Sequence, residues 1–168
     1  MLQRASSEAC YLALCLIFNV FALPDSKPDP VTTVCTFEDG NEISIRYIPV
    51  LSDKEKPQNG KPWAPGGSPI VLFTPVNLIF DKTQVGPGAK SVYMIPGKNH
   101  WTLVVNKNVS DKAQYDEHQD LVRAPMEIGE LSAPAKELQL TLAHTGTKQC
   151  SLRTDYGKTG AWIDFHEK

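Results

Sequence analysis

Hydrophobic and polar residues alternate with a period of two along most of the chain. In VCTFEDGNEISIRY, apolar side chains occupy every second position on both sides of the Asp39-Gly40 pair. Successive side chains of a strand point to opposite faces, so this alternation predicts strands that are buried on one face. An Asp-Gly pair between two such runs is a strong hairpin signal, because glycine accepts the positive φ that tight turns need.

The same pattern continues to the C-terminus. It predicts strands in PIVLFT, NLIFDK, KSVYMI, WTLVVNK, LVRAPMEI, KELQLTLAH, CSLRTDYG and AWIDFHE, with turn residues between them. About eight or nine short strands with frequent turns are typical of a sandwich or barrel. We therefore predict an all-β fold, specifically an antiparallel β-sandwich of Greek-key or jelly-roll type.

One segment could be either a helix or a strand. SAPAKELQLTLAH offers a helix cap at Ser132 followed by good helix formers. Leu138, Leu140 and Leu142 nevertheless alternate strictly, which aligns them on one face of a strand and scatters them around a helix. The alternation favours a strand. Earlier in the chain, SDKAQYDEHQD has no apolar stripe and is predicted to be a loop.

The first thirty residues have the layout of an export signal. Arg4 lies in a short polar start, and the apolar run from Ala9 to Ala22 is followed by the proline-rich LPDSKPDP. This run is shorter than the roughly 20 residues of a membrane-spanning helix. We predict a signal peptide over 1–22, a linker over 23–30 and a single domain over 31–168. Export to the periplasm or the extracellular space follows, with no membrane span after cleavage; an uncleaved anchor is the alternative.

Composition adds a disulfide and excludes some partners. Cleavage would leave Cys35 and Cys150, an even pair that in an exported protein predicts a disulfide; two buried free thiols are the alternative. A bond between them would bring the first strand close to the penultimate one. The net charge of −2 gives no basic field for nucleic acid. No cysteine or histidine spacing suggests a metal site, and no cofactor is predicted.

The hairpin around IPGKNHWTLVVNKN has two interpretations, a binding-site wall or a structural strut. Trp101 shares its strand face with Leu103 and Val105, so the alternation favours a core tryptophan. This stretch, followed by YDEHQDLVRAPMEI, resembles exported bacterial proteins catalogued as domain of unknown function 2911. CTFEDGNEISIRY and CSLRTDYGKTGAWIDFHEK resemble the two ends of the same family. The resemblance implies export and an all-β domain, but no chemistry, because none is assigned to the family.

The chain departs from the family between its second and third predicted strands. Family members typically carry a Trp-Arg-x-Gly-Ala-Asn-Glu-like motif in this region. Trp63 and Gly66 match it, while Ala64, Ser68 and Pro69 stand where the arginine, the asparagine and the acid are expected. If that polar motif forms a site in the family, this chain lacks its charges.

Two sets of residues are candidates for function. Asp116 and His118 in YDEHQD have side chains that could bind a metal or act as acid and base, although charged loop residues are commonly just solvated. Trp162 alternates away from the apolar face of the last strand, and Trp63 lies in a Pro/Gly-rich loop. Exposed indoles can stack on sugars or enter a partner's pocket.

These residues support two hypotheses. The first is a non-catalytic binding or interaction module for an unknown ligand, possibly a carbohydrate or a protein. The second is a hydrolase or metal-dependent enzyme that uses the Asp116/His118 loop. No catalytic residue is assigned, because the sequence contains no nucleophile motif and no metal-binding motif.

Overall fold

The computed structural model describes residues 28–110 and 114–168. The proposed signal peptide therefore lies outside the described residues, as does most of the proposed linker. The strands are β1 (Val31–Thr36), β2 (Glu42–Tyr47), β3 (Ile70–Thr74), β4 (Leu78–Phe80), β5 (Thr83–Val85), β6 (Gly88–Ile95), β7 (Trp101–Asn106), β8 (Asp120–Gly146) and β9 (Gln149–Glu167). Two short 3-10 turns, Pro65–Gly67 and Glu117–Gln119, complete the regular structure of the described residues.

The nine strands form one antiparallel sheet in the order β1-β2-β3-β6-β7-β8-β9-β4-β5. The all-β antiparallel class is thus confirmed. In this spatial order each strand pairs with its neighbour. The strands therefore form one continuous sheet and not two separately hydrogen-bonded sheets. The predicted β1–β2 and β6–β7 hairpins are present, with Cys35 opposite Ile43 and Val92 opposite Val105.

Strands β8 and β9 are much longer than the pattern indicates. LVRAPMEI and KELQLTLAH are both parts of β8, and CSLRTDYG and AWIDFHE are both parts of β9. The prediction of four separate strands is therefore wrong. The Ser-Ala-Pro-Ala segment does not end β8 but shifts its register, so that Glu130 pairs with Thr159 while Ala135 pairs with Gly157. The segment containing Leu138, Leu140 and Leu142 is a strand, as the alternation predicts.

The long β8–β9 hairpin bends back toward the rest of the sheet. At the two ends of β9, the Glu167 N–H donates to the Lys148 carbonyl over 2.8 Å, so the beginning of this strand lies beside its end. In the distal half of β8, the Leu142 N–H donates to Thr33 Oγ1 on β1 over 3.1 Å. The bend therefore brings the far end of the hairpin against the first strand.

The two halves of the sheet share one hydrophobic core. Leu140 and Leu152 of the distal hairpin and Ile45 and Leu103 of the other half all belong to the same buried cluster. Trp101 is 6% exposed, which confirms the core interpretation of this tryptophan in the β6–β7 hairpin.

A disulfide joins Cys35 on β1 to Cys150 at the beginning of β9, with Cα atoms 6.6 Å apart. The predicted pairing is confirmed, and so is the proximity of the first strand to the penultimate predicted one. Among the described residues, no helix is long and apolar enough to cross a membrane.

Candidate functional site

Residues in and around the β7–β8 connection form a hydrogen-bonded network that sequence reasoning missed. Asp120 accepts from Tyr115 Oη at 2.6 Å and from Arg123 Nε at 2.7 Å. The side-chain amide of Asn106 donates to Asp120 Oδ1 at 2.7 Å and to the Asp116 carbonyl at 2.8 Å. Tyr115 at the beginning of YDEHQD is therefore a partner of Asp120 and Arg123 at its end and in the following strand. Their polar groups fasten the β7–β8 connection.

Tyr115 carries this connection onto the outer face of the sheet. Its ring meets Tyr93 of β6 edge to face, with centroids 5.0 Å apart. Burial, and next the hydrogen bond to Asp120, raises the pKa of Tyr115 to about 12. Hydrogen bonding to Asp120 also raises the pKa of Arg123. Tyr115 therefore stays neutral and Arg123 stays charged, which suits a structural network.

The Asp116 side chain contacts the backbone of His118. The Asp116 carboxylate accepts the His118 backbone N–H at 3.0 Å and so caps the Glu117–Gln119 turn. Both residues are exposed. Within residues 28–110 and 114–168, no three His, Cys, Asp or Glu side chains come together in a way that could hold a metal ion.

Trp63 lies in the core, contrary to the exposure expected of a loop indole. It is 6% exposed and meets Trp101 edge to face and Tyr156 at a tilt, with centroids 6.3 Å and 4.7 Å away. Its backbone pairs with Met94 as an isolated bridge. The loop therefore enters the protein at Trp63 and is held there by aromatic packing.

Glu55 fixes this loop, and no sequence signal marks it. One of its oxygens accepts the Trp63 indole N–H, and the other accepts the Gly66 N–H at 3.0 Å. Gly66 has a φ of 66° and lies close to Ile48 and Val50, so a side chain there would be strained and crowded. Tyr156 donates to the carbonyls of Leu51 and Glu55. Burial, and next the charge of Glu55, raises the pKa of Tyr156 to about 12.

Trp162 is the candidate indole at the surface. It is half-buried, and its Nε1 donates to Glu127 Oε2 over 3.1 Å across the β8–β9 pair. Its ring lies against Gly129, where an added Cβ would come within 3.2 Å of Cη2. Gly129 also lines an open depression of about 410 Å³, together with Ile128, Glu130, Lys158 and Thr159.

The comparisons with known proteins identify the family. A sequence profile described as "Protein of unknown function (DUF2911)" matches residues 32–165, from β1 into the last residues of β9. The chain belongs to the DUF2911 family. The searches of curated proteins and of solved structures return no significant match.

The polar network of the β7–β8 connection lies in a part of the chain that resembles other DUF2911 proteins. The residues that carry the resemblance around the β7–β8 connection include Asn106, Tyr115, Asp120 and Arg123, and here they bond to one another. In this DUF2911 protein, that part of the resemblance therefore coincides with one hydrogen-bonded network.

Proposed function

We propose that the protein is an exported, non-catalytic binding module, and that Trp162 is a stacking platform for a carbohydrate. The single observation that carries this proposal is a half-buried indole that is held in place beside an open depression. An indole face stacks well on the apolar face of a sugar ring, and the indole N–H adds a polar contact.

The Trp162 ring is restrained on two sides. Glu127 holds Nε1 by a hydrogen bond, and the missing side chain at Gly129 lets the far edge of the ring lie close to β8. Ligand binding would therefore cost little side-chain ordering, because the ring already has a fixed orientation. A cross-strand aromatic over a glycine also stabilises a sheet by itself, so the packing serves the fold as well.

The neighbouring depression supplies polar groups of the kind that sugars need. Glu130, Lys158 and Thr159 line it and provide an acceptor, a donor and a hydroxyl. A sugar hydroxyl is both a donor and an acceptor, so a rim of mixed polarity suits it better than it suits a single anion or cation. An apolar platform next to such a rim is the usual composition of a small-ligand site.

Two carboxylates of the loop in the alternative, catalytic hypothesis accept hydrogen bonds from neighbouring residues. Asp116 caps a turn, and Asp120 accepts hydrogen bonds from Tyr115, Arg123 and Asn106. A general acid or base needs a free group within reach of the substrate. The contacts of these carboxylates therefore support a structural role for this loop.

Export is part of the same proposal. The Cys35–Cys150 disulfide is compatible with an oxidising compartment, where such bonds persist. The apolar stretch from Ala9 to Ala22 supplies the candidate signal. Expression of the full chain in a bacterium, followed by fractionation and N-terminal sequencing, should give a periplasmic or secreted product that begins just after Ala22. A product that stays in the cytoplasm would contradict export.

Binding is tested on a glycan array, followed by calorimetric titration of the best ligand. Trp162→Ala should weaken binding at least tenfold, because it removes the platform. Gly129→Ala should also weaken it, since the added methyl displaces the ring while the indole is retained. Phe73→Ala is the matched control, because Phe73 is an exposed aromatic (49% exposed) on β3. No glycan binding by the wild-type protein, or equal losses in all three variants, would contradict the proposal.

A further inference from the structure

Two glycines face each other beside Trp162 in the β8–β9 pair. Gly129 of β8 lies opposite Gly160 of β9 in the strand register. Directly opposite residues of an antiparallel pair project to the same face, so neither position carries a side chain that would fill the space above the strands. The Trp162 ring borders the Gly129 side, where its Cη2 is 3.2 Å from the position of an added Cβ. The glycine pair therefore forms a bare floor with the indole along one side.

A guanidinium group borders the other side of this floor. A Cβ added at Gly160 would be 3.5 Å from Arg153 Nη2 and 3.1 Å from Asp155 Oδ1. Cβ positions of directly opposite residues are about 4.5–5.5 Å apart, so Arg153 Nη2 and Trp162 Cη2 lie within about 12 Å of each other. A short oligosaccharide that stacks on the indole can therefore reach the guanidinium.

Asp155 holds this guanidinium in place. Arg153 Nε donates to Asp155 Oδ1 at 2.9 Å and to Oδ2 at 3.1 Å. Both bonds use Nε, and in the part of the chain that the structure describes neither Nη1 nor Nη2 donates to another group. The Arg153 side chain is 50% exposed, so these two nitrogens are accessible. An anion would meet donors whose orientation is already set, which lowers the ordering cost of binding.

Two open depressions give room for a ligand that spans this distance. The depression of about 410 Å³ beside Trp162 includes Glu130. A second depression, of about 710 Å³, includes the next residue, Leu131, and also Arg153. The two depressions therefore follow one another along β8. A sugar ring at the indole would lie in the first, and a charged group that it carries, or that the next sugar carries, would reach the second.

We propose that the ligand is an acidic oligosaccharide and that Arg153 binds a uronic acid carboxylate, an assignment that rests on the proposed sugar-binding function of Trp162. A guanidinium and a carboxylate match in shape, because two parallel N–H groups meet two oxygens. Such a charge-assisted contact is roughly twice as strong as a neutral hydrogen bond. Arg153 therefore distinguishes an acidic sugar from a neutral one, while the indole accepts both.

The charges that line the two depressions make Arg153 the selective residue. They are equally divided between cations and anions: Lys136, Arg153, Lys158, Glu130, Glu137 and Asp155. The lining as a whole therefore favours neither sign of charge. Of these three described cations, Arg153 is the one that hydrogen bonds hold in position, so we expect the preference for an acid to depend on this side chain.

The test compares free acids with their methyl esters. Oligosaccharides of galacturonic, mannuronic and glucuronic acid are titrated into the disulfide-intact protein by calorimetry, each beside its fully methyl-esterified form. The ester keeps the sugar rings for stacking but removes the negative charge. At least one free acid should bind, and its ester should bind at least tenfold more weakly, because the charge-assisted contact is lost.

Variants of Arg153 assign the preference to this side chain. Arg153→Gln should make the acid and the ester bind equally, and Arg153→Lys should keep part of the difference, since it retains the charge without the planar fork. Arg46→Gln is the matched control, because Arg46 is an exposed arginine on β2 that lines a different depression.

The outcomes separate this inference from the proposed function. Equal binding of acid and ester by the wild-type protein, lost in Trp162→Ala, would overturn the acidic ligand and leave the sugar platform standing. A preference for the acid that Arg153→Gln leaves intact, or that Arg46→Gln removes equally, would also overturn the role of Arg153. If no oligosaccharide binds, acidic or neutral, the proposed function and this inference fall together.

Discussion

Asp120 shows most directly what a single side chain contributes to this fold. Its two oxygens accept from Asn106 on one side and from Tyr115 and Arg123 on the other. Asp120→Asn should lower the free energy of unfolding by about 2–3 kcal/mol, because the new amide N–H would face a donor whichever way it turned. Urea unfolding measures the change. Asp116→Asn is the control and should cost under about 0.5 kcal/mol, since asparagine caps a turn as well as aspartate does. Equal losses in both variants would contradict the network.

Two tyrosines should make the protein sensitive to alkali. The pKa values of Tyr115 and Tyr156 are raised from 10.0 to about 12, in both cases mainly by burial. At a pH between these two pKa values, the tyrosines of the unfolded chain lose protons that those of the folded chain keep. Their contribution to stability is therefore complete below about pH 10 and is lost as the pH rises toward about 12. Urea unfolding across this window should show the decline, and it should be shallower in Tyr115→Phe and in Tyr156→Phe. Slopes unchanged by either substitution would contradict the assignment.

Burial of Trp63 shows where inference from individual residues stops. Its loop is rich in proline and glycine, and nothing local indicates that the indole turns inward. The cause is Glu55, eight residues earlier in a charged stretch that looks solvated, which accepts both the indole N–H and a loop N–H. Trp162 was easier to place, because strand alternation directly sets the face of a side chain.

At the scale of elements, period-two alternation predicted nearly every strand but not where β8 and β9 continue. Pro134 and its small neighbours resemble a strand break, yet the chain absorbs them as register shifts on either side of the Ala135–Gly157 pair. A bulge of this kind depends on what the partner strand can accommodate, and one strand's sequence does not contain that information. The fold class was therefore predictable, while the bent hairpin beside the candidate sugar site was not.

Gly157 offers a test of this bend. Its φ is 56°, a conformation that an alanine adopts only with strain, although no neighbouring atom would touch a Cβ there. Gly157→Ala should therefore lower the free energy of unfolding by about 1 kcal/mol through the backbone alone. Gly146→Ala is the control, because its φ is not positive and its Cβ would make ordinary contact with Gln149 at 3.5 Å. This substitution should be neutral or stabilise by up to about 1 kcal/mol. The same loss at both positions would contradict a special backbone requirement at the bend.

At the scale of the whole molecule, the disulfide joins regions that are far apart in sequence. Cys35 and Cys150 are separated by 115 positions, and their bond links β1 to the folded-back β8–β9 hairpin. Other contacts between this hairpin and β1 include the hydrogen bond from the Leu142 N–H to Thr33 Oγ1. A crosslink over so long a loop restricts the unfolded chain strongly and should stabilise the fold by about 5 kcal/mol in the chain-entropy model. That is a large share of the roughly 5–15 kcal/mol that holds a typical domain together.

The double variant Cys35→Ala/Cys150→Ala should accordingly unfold at a much lower urea concentration than the oxidised wild-type protein. A reductant should lower the wild-type midpoint toward that of the variant and leave the variant unchanged. This internal control separates loss of the crosslink from loss of packing, because both thiols are buried and alanine leaves a small cavity at each. If the reductant has no effect on the wild-type midpoint, the bond contributes nothing to stability, and the link between this fold and an oxidising compartment loses its physical basis.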